Sequence, residues 1–297
     1  MRAIAQLIMR SAAHAGGVAA VTGLTGLILP PLVMVSGAAV ALYTLRRGAR
    51  AGMQAIVVAI LVLGIVALLG GGLMPFAALP VGTWLPAWLL ALVLRSTASQ
   101  SWMVVAAGLL GVIYLVTSQL VLGDPVNWWQ TWLTGMVNEL AAQNPEFNVS
   151  TVKVEVIASQ MQSLLATAIV STQTLTMLLA RWWQSQLFNP GGFRAEFVAM
   201  RLPRIVLQGV AVLAVILWVI WHGDARSEVL AGYALVLVVM FSITGLALTH
   251  WTIGHQQWSV WWLVVAYVVF LRLPAIAALV GVVDTVFDLR KVLVRRQ

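Results

Sequence analysis

Long apolar runs recur along nearly the whole chain of 297 residues and leave little room for a water-soluble core. They occupy residues 12–29, 32–45, 53–73, 81–94, 102–122, 160–180, 205–221, 229–249, 258–271 and 273–289. Inside a bilayer the backbone finds no water, so a spanning segment must be a helix or part of a closed barrel. The runs are continuous and lack strand-like alternation, which selects helices. The sequence therefore predicts an all-α fold: one polytopic transmembrane helical bundle over residues 1–297, with about eight to ten membrane segments, some short or re-entrant.

The charged residues divide between the loops so unevenly that they predict an orientation. If the chain crosses at every segment from a cytoplasmic N-terminus, fourteen of its seventeen Lys and Arg residues fall inside. Six of its nine Asp and Glu residues then fall outside. Cytoplasmic loops of membrane proteins carry such an excess of cations, so both termini are predicted to be cytoplasmic. Membrane orientation accounts for the net charge of +8, and the lipid bilayer, not nucleic acid, is the predicted partner.

Two stretches outside the apolar runs are long enough to carry structure of their own. Residues 123–159 begin with a turn signal, Gly123-Asp124-Pro125, and continue as an amphipathic helix. This extracytoplasmic loop either lies on the outer leaflet or caps the mouth of the bundle. Residues 189–204 alternate cations with bulky apolar residues and predict a cytoplasmic interfacial linker held by anionic headgroups.

The segment 160–180 is unusually polar for a membrane span. Its polar stripe consists of Gln160, Ser163, Thr167 and Ser171, continued by Thr174. Residues at this spacing share one side of a helix, and such a stripe cannot face lipid at low cost. The stripe either bonds to neighbouring helices or lines a wet cavity. In the second case its residues bind a small solute, and the cavity opens toward the outer side.

Arg272 stands between the last two apolar segments and is predicted at the outer boundary of the membrane. An arginine at the centre of a membrane helix costs at least about 2.5 kcal/mol on insertion scales. Its guanidinium is therefore expected to do one of three things. It reaches the outer headgroups, pairs with a partner, or binds the carboxylate or phosphate of a solute through two hydrogen bonds.

Asp284 and Asp288 are four residues apart near the inner end of the last segment, so a continuous helix presents them on one side. Arg290 and Lys291 follow within one turn. These four residues predict a cytoplasmic ion-pair cluster. Proton relay by the two carboxylates is the alternative.

A face of small residues on the first predicted helix consists of Ala12, Gly16, Ala20 and Gly23. Small residues let two helix backbones approach closely in a membrane. The pattern predicts tight helix packing, either within the chain or against another membrane subunit.

Motifs of common enzyme and cofactor sites are missing from the sequence. The chain has no cysteine, and its four histidines lack the spacing of a metal site. It contains no HExxH, GxSxG or Walker sequence. We therefore predict no enzyme activity, no bound metal and no cofactor.

Both ends of the chain carry a resemblance to a known family. The residues Gly281-Val282-Val283-Asp284 through Asp288-Leu289-Arg290 resemble the closing motif of the YybS-like family. The opening is similar as well: Met1-Arg2-Ala3 leads to an apolar pair and then to Leu45-Arg46-Arg47-Gly48. YybS-like proteins are bacterial multi-helix membrane proteins without an established function. They are distantly similar to the substrate-binding components of energy-coupling-factor transporters.

This resemblance implies a helical bundle in the bacterial inner membrane, with a substrate pocket toward the outer side and a docking role for the face near Gly16. The chain departs from those transporter components in having more apolar segments than their usual six and no vitamin-binding motif. With the polar stripe and Arg272, the resemblance favours a component that binds or transports a small solute. The alternative is a non-transport scaffold or assembly factor, in which the stripe packs helices and Arg272 anchors the chain.

Overall fold

The computed structural model describes residues 2–70, 78–144 and 153–294, which fold into helices and turns without a β-strand. The first helices are α1 (Arg2–Ile8), α2 (Ala12–Gly26), α3 (Pro31–Arg47), α4 (Ala49–Gly70), α5 (Leu85–Thr97), α6 (Gln100–Leu122) and α7 (Pro125–Gln143). They are followed by α8 (Val154–Phe188), α9 (Gly192–Ala199), α10 (Arg204–Ile220), α11 (Gly223–His255), α12 (Trp261–Arg272), α13 (Pro274–Phe287) and α14 (Leu289–Val294). A π-helical turn, Pro80–Trp84, leads directly into α5. The predicted all-α polytopic bundle is confirmed.

Four helices are long and apolar enough to cross a membrane: α4, α6, α8 and the part of α11 from Arg226 to His255. Two bent pairs pass the same test only when each pair is taken as one span. They are α9 with α10, bent by 55°, and α12 with α13, bent by 108°. The described residues therefore hold four to six candidate spans. The eight to ten predicted segments include α2, α3 and α5, whose 15, 17 and 13 residues are fewer than the ~20 that a full crossing needs.

The core forms around α3, which lies between α2, α5 and the 35-residue helix α8. Every residue of α3 from 36 to 45 is buried. Ser36 joins three elements here, because its Oγ donates to Ala19 O at 2.5 Å and accepts from Trp84 Nε1 at 2.8 Å. A hydroxyl placed between two buried partners keeps its hydrogen bonds away from water, as the interior of a membrane protein requires.

Charged side chains gather at the two ends of the bundle. At one end, which we call the basic end, contacts between five helices collect cations from distant parts of the chain. These contacts are Arg95 Nη1 to Leu45 O (2.7 Å), Arg46 over the Phe188 ring (4.5 Å), the Arg181–Glu196 ion pair and Gln100 Nε2 to Glu196 Oε2 (3.2 Å). The opposite, acidic end holds Asp124, Glu139, Glu155, Asp224 and Glu228 with Lys153 and Arg226. There a hydrogen bond from Ser118 Oγ to Gln162 Oε1 (2.9 Å) ties the end of α6 to the start of α8.

The charges are therefore separated in space, and which end faces the cytoplasm stays a prediction. Glu146, Arg295 and Arg296, which contributed to that prediction, lie outside the described residues. So do residues 145–152 of the predicted outer loop and residues 71–73 of the predicted segment 53–73.

The amphipathic helix predicted within residues 123–159 is α7. Asp124 begins it, since its Oδ1 accepts a hydrogen bond from Asn127 N at 3.0 Å. The helix lies beside the first turn of α8 and buries Val137. Four large apolar side chains one turn apart stay exposed: Trp128, Trp132, Met136 and Leu140. This exposed stripe suits contact with lipid at the acidic end.

The helices α12 and α13 meet at a bend that lies beside the middle of α11. Ser242 Oγ donates to Pro274 O at 2.6 Å. Ser242 lies about 24 Å along α11 from Arg226 and about 20 Å from His255 at ~1.5 Å per residue. The bend, residues 272–274, is therefore far from both ends of α11.

Both arms of this bend run toward the basic end, and we call α12 and α13 together the half-depth pair. On the first arm, Tyr267 reaches His250 near the end of α11. On the second, Arg204 Nη2 donates to Val286 O at 2.8 Å. The sequence predicted a short or re-entrant segment here, with Arg272 at the outer boundary of the membrane. Arg272 ends the 12-residue α12 at the bend, beside the middle of α11, and its depth in a membrane stays a prediction.

Two glycines allow α13 to cross α11 at close range. A Cβ atom added to Gly245 of α11 would overlap the carbonyl oxygen of Ala277, and one added to Gly281 of α13 would overlap that of Phe241. Backbones that touch in this way maximise van der Waals contact, which drives helix association in lipid. The crossing holds the half-depth pair against the core.

Candidate functional site

A cavity of about 720 Å³ lies between α8, α9, α11 and α12, and we call it the α9 cavity. It is larger than four other cavities of the described residues, which measure about 290 to 570 Å³. It is lined by Leu175, Leu178, Phe193, Arg194, Phe197, Val198, Ile243, Leu246, His250, Ile253, Gly254, Gln257, Trp258, Val260, Leu263, Tyr267 and Phe270. Pockets for small molecules commonly have ~300–1,000 Å³ and mostly apolar walls with a few polar groups. The α9 cavity has both properties.

The polar groups of the cavity come from three helices. His250 Nε2 of α11 lies 3.1 Å from the Tyr267 hydroxyl of α12. The ring of Phe197 meets the His250 ring edge-on, with 5.4 Å between the ring centres. Arg194 approaches α11 at Gly254, where an added Cβ would lie 3.4 Å from Arg194 Nη2. The glycine thus gives the guanidinium room beside the α11 backbone.

The short helix α9 is oriented by contacts at both of its ends. Gly191 begins it with φ of +86°, a conformation that glycine adopts at low cost. Ser185 Oγ of α8 accepts a hydrogen bond from Phe193 N at 3.2 Å. Glu196 pairs with Arg181 of α8. These contacts to α8 leave Arg194 and Phe197 on the side that faces the cavity.

The α9 cavity extends from the basic end toward the middle of the bundle. Arg194, Gln257 and Trp258 lie at its charged mouth, whereas Ile243 and Phe270 lie near the bend of the half-depth pair. A cation at one end of an apolar cavity is complementary to an amphiphile with an anionic head. The arrangement offers groups that could bind both parts of such a molecule.

The residues of the predicted stripe line none of these five cavities. Ser163 lies against α11, where a Cβ added to Gly232 would be 3.4 Å from Ser163 Oγ. Thr167 Oγ1 donates to Ser163 O within α8 at 2.6 Å. Gln160 is exposed at the acidic end, and Ser171 is half-buried. Solute binding by the stripe stays a prediction, and of the Ser163 and Thr167 hydroxyls, that of Ser163 lies against a neighbouring helix.

Apart from Thr174, the more deeply buried polar residues of α8 lie outside that stripe. Gln173 Nε2 donates to Gly82 O in the π-helical turn at 2.9 Å, and Gln162 accepts from Ser118. Thr174 and Thr176 are fully buried. A sequence signal for this inward face exists: Gln162 and Gln173 continue the series of small and apolar residues Ala158, Ala166, Val170, Met177 and Ala180. Helical spacing alone did not reveal which side of α8 faces inward.

The predicted ion-pair residues near the C-terminus divide into two groups. Asp288 has φ of +53° and ends α13, so it does not share a continuous helix with Asp284 as the sequence predicted. Asp288 pairs with Arg201 Nη1 at 2.6 Å and with Lys291 Nζ at 2.9 Å. Hydrogen bonds from Arg201 and Lys291 lower the pKa of Asp288 to about 2. Asp284 is buried, and its Oδ2 lies 3.2 Å from Arg290 Nη2.

The small-residue face of α2 lies within the chain. A Cβ added to Gly16 would lie 2.5 Å from Ala55 O of α4, and one on Gly23 would lie 3.0 Å from Ser36 Oγ of α3. Ala20 is buried as well, and Ala12 is half-buried. These glycines allow α2 to pack closely on α3 and α4.

Arg194, His250 and Tyr267 were not among the site residues predicted from the sequence. The linker 189–204 was recognised as a basic and aromatic stretch but was assigned to lipid headgroups. The residues that line the cavity are spread along the sequence from Leu175 to Phe270, so no local pattern could indicate it.

Comparison with known proteins identifies the family. The family model described as "Predicted membrane protein (DUF2232)" matches residues 17–285. The chain belongs to the DUF2232 family. The DUF2232 match includes every residue that lines the α9 cavity and the whole bend at Arg272, whereas Asp288, Arg290 and Lys291 follow it. No curated protein and no solved structure matches the chain significantly.

Proposed function

We propose that this membrane protein binds a small amphiphile with an anionic head in the α9 cavity, as the solute-binding component of a transport system. One observation carries the proposal: Arg194 stands at the mouth of a cavity of about 720 Å³ whose walls are otherwise mostly apolar. The head of the ligand is a carboxylate or a phosphate. Its apolar body extends toward Phe270.

The physical basis of this binding is the separation of charge and apolar surface in the cavity. A guanidinium can hold a carboxylate or phosphate through two parallel hydrogen bonds. The pair formed by His250 and Tyr267 offers a further polar contact. Burial of the apolar body contributes about 25 cal/mol per Å². The guanidinium alone would also bind a simple anion, and the apolar walls alone would also bind a lipid tail. The two together select an amphiphile with an anionic head.

Two further features support a transport component over an enzyme. The chain ends resemble YybS-like proteins, whose distant relatives bind substrates for energy-coupling-factor transporters. The cavity combines one cation with apolar walls, which suits binding of a ligand, and we assign no reaction to the His250–Tyr267 pair. With the basic end in the cytoplasm, the cavity opens within the inner leaflet of the bacterial inner membrane, and the ligand enters or leaves on that side.

Native mass spectrometry of the gently extracted protein tests the proposal. We expect the wild type to retain a small anionic molecule, whose mass distinguishes a membrane lipid from another amphiphilic anion. Arg194→Gln should lower the retained fraction about tenfold, because a charge-assisted hydrogen bond contributes about 1.5–3 kcal/mol. Val198→Trp should lower it as well by filling the cavity.

Arg50→Gln is the matched control, because Arg50 is an exposed cation of α4 outside the cavity. It should retain the molecule as the wild type does. An empty wild-type protein, or equal retention by the Arg194 and Arg50 variants, would overturn the proposal.

A non-transport scaffold is the second candidate function. The packing of Ser163 against Gly232 favours it, since a stripe that packs helices has no solute to bind. A scaffold predicts co-purifying proteins that remain bound to Val198→Trp, with no small molecule retained by the wild type. Retention of an anionic amphiphile that depends on Arg194 favours the transport component.

A further inference from the structure

Arg272 occupies the bend of the half-depth pair and is the residue from which this inference starts. Its neighbours Leu271 and Leu273 are 74% and 53% exposed. Arg272 is exposed too, and its side chain forms no hydrogen bond or ion pair with any residue in the described ranges. It also lies outside the lining of the α9 cavity.

The depth of this guanidinium makes contact with water or headgroups unfavourable. The bend lies beside Ser242, near the middle of α11. Half of a ~30 Å hydrocarbon core then separates it from either headgroup layer. Arginine side chains reach the headgroups effectively only near the ends of a membrane span, close to the interface. A charged residue at this depth normally faces a partner of opposite charge.

No carboxylate of the described part of the chain is placed to be that partner. Glu196, Asp284 and Asp288 lie at the basic end and already pair with Arg181, Arg290 and Arg201. The other described acidic residues lie at the acidic end. A second copy of the described ranges would carry its acidic residues at the same two ends, and not at the depth of Arg272. Among the described residues, none supplies the opposite charge at this depth, which leaves it to a partner outside these ranges.

We propose that the bend of the half-depth pair is a docking surface for a transmembrane helix of a partner protein that carries an Asp or Glu at mid-bilayer depth. Its carboxylate binds Arg272, and its apolar side chains cover Leu271 and Leu273. An ion pair shielded from water is strong when both partners are present and costly when one is removed. It thus selects this partner over other membrane helices.

Photo-crosslinking in membranes of the native host tests the docking surface. A photoreactive amino acid replaces Leu271 in the full chain, and the control carries it at Leu68, a lipid-exposed residue of α4. We expect the Leu271 probe to yield an adduct with one membrane protein that has an Asp or Glu within a transmembrane segment. The Leu68 probe should not yield this adduct.

The charge of Arg272 is then varied to test the ion pair itself. Arg272→Gln should reduce the adduct at least tenfold while leaving the thermal unfolding midpoint unchanged, and Arg272→Lys should keep most of it. Arg272→Glu should lose the adduct and regain it when the partner's carboxylate is replaced by Arg. Adducts with lipid alone, adducts with a second copy, or an adduct that survives Arg272→Gln would each overturn the proposal. Ligand retention by the α9 cavity is scored separately in the same variants.

Discussion

Ser242 donates a hydrogen bond of 2.6 Å to the carbonyl oxygen of Pro274 and thereby fixes the bend between α12 and α13 beside the middle of α11. Proline has no backbone N–H and therefore breaks the helical hydrogen-bond pattern between α12 and α13. Ser242 adds a side-chain hydrogen bond from a neighbouring helix at this break. This contact places the bend beside the middle of α11.

Single-cysteine labelling measures the depth of the bend, and the absence of native cysteine makes it practical. Leu273→Cys should resist a membrane-impermeant maleimide from both sides, because the bend lies in the hydrocarbon core. Ser227→Cys at the acidic end should react in intact spheroplasts, and Ser96→Cys at the basic end only after permeabilisation. Labelling of Leu273→Cys from outside would indicate two crossings. The reverse labelling pattern for Ser227→Cys and Ser96→Cys would indicate the opposite orientation.

The crossing of α11 and α13 should not tolerate even one added methyl group. Gly281→Ala should lower stability by about 1–3 kcal/mol, since a Cβ there meets backbone that cannot rotate away. The thermal unfolding midpoint, followed by intrinsic tryptophan fluorescence in detergent, should fall by several degrees. Gly64→Ala is the control, because a Cβ at Gly64 meets no atom within 4 Å. Equal midpoints for both variants would contradict the close crossing.

The hydrogen bond from Gln173 to the π-helical turn should contribute measurably to stability. Gln173→Leu leaves Gly82 O without this donor and should cost about 1–3 kcal/mol. Gln160→Leu changes an exposed residue of the same helix and should leave the unfolding midpoint nearly unchanged. If Gln160→Leu proves the more damaging of the two, the inward face of α8 has been assigned incorrectly.

The Asp288 ion pairs should stabilise the protein at neutral pH and lose this effect in acid. Its pKa is about 2 in the folded protein, below the ordinary value of 3.8, because Arg201 and Lys291 hold the carboxylate. The stabilisation is therefore complete above about pH 4 and declines as the pH falls toward 2.

Asp288→Asn isolates the charge, since Asn also tolerates the positive φ of this position. The wild type should be more stable by up to about 1 kcal/mol at pH 7, as expected for partly exposed pairs. The difference between the two unfolding midpoints should shrink only below about pH 4. A difference that already disappears at pH 6 would exclude this carboxylate as its source.

Composition and helical periodicity were sufficient to predict the all-α membrane bundle and its long spans, because burial of apolar runs in lipid depends on local sequence alone. How deep a segment lies, and which side of a helix faces inward, depend on its contacts with neighbouring helices. The segment 258–271 was short in the sequence, yet only its contacts with α11 place its end beside the middle of that helix. Likewise, Ser163 and Gln162 are adjacent, and only packing decides that Gln162 is the more deeply buried.

The α9 cavity was beyond sequence analysis for the same reason. Its walls come from Leu175, Arg194, His250 and Tyr267, which belong to four helices. Arg194 was visible as a cation between aromatic residues, and contact with headgroups explained it equally well. Its position against Gly254 places it beside the cavity, and its contact with headgroups stays a prediction.

Photoaffinity mapping of the α9 cavity tests the central claim most directly. The probe is a fatty acid with a diazirine in its chain, applied to the full protein in lipid vesicles and mapped by peptide mass spectrometry. Labelling should concentrate on Leu263, Tyr267 and Phe270, and it should fall sharply in Val198→Trp. Labelling spread equally over lipid-facing residues such as Leu68 and Val212, and unchanged in Val198→Trp, would contradict the binding of an anionic amphiphile in this cavity.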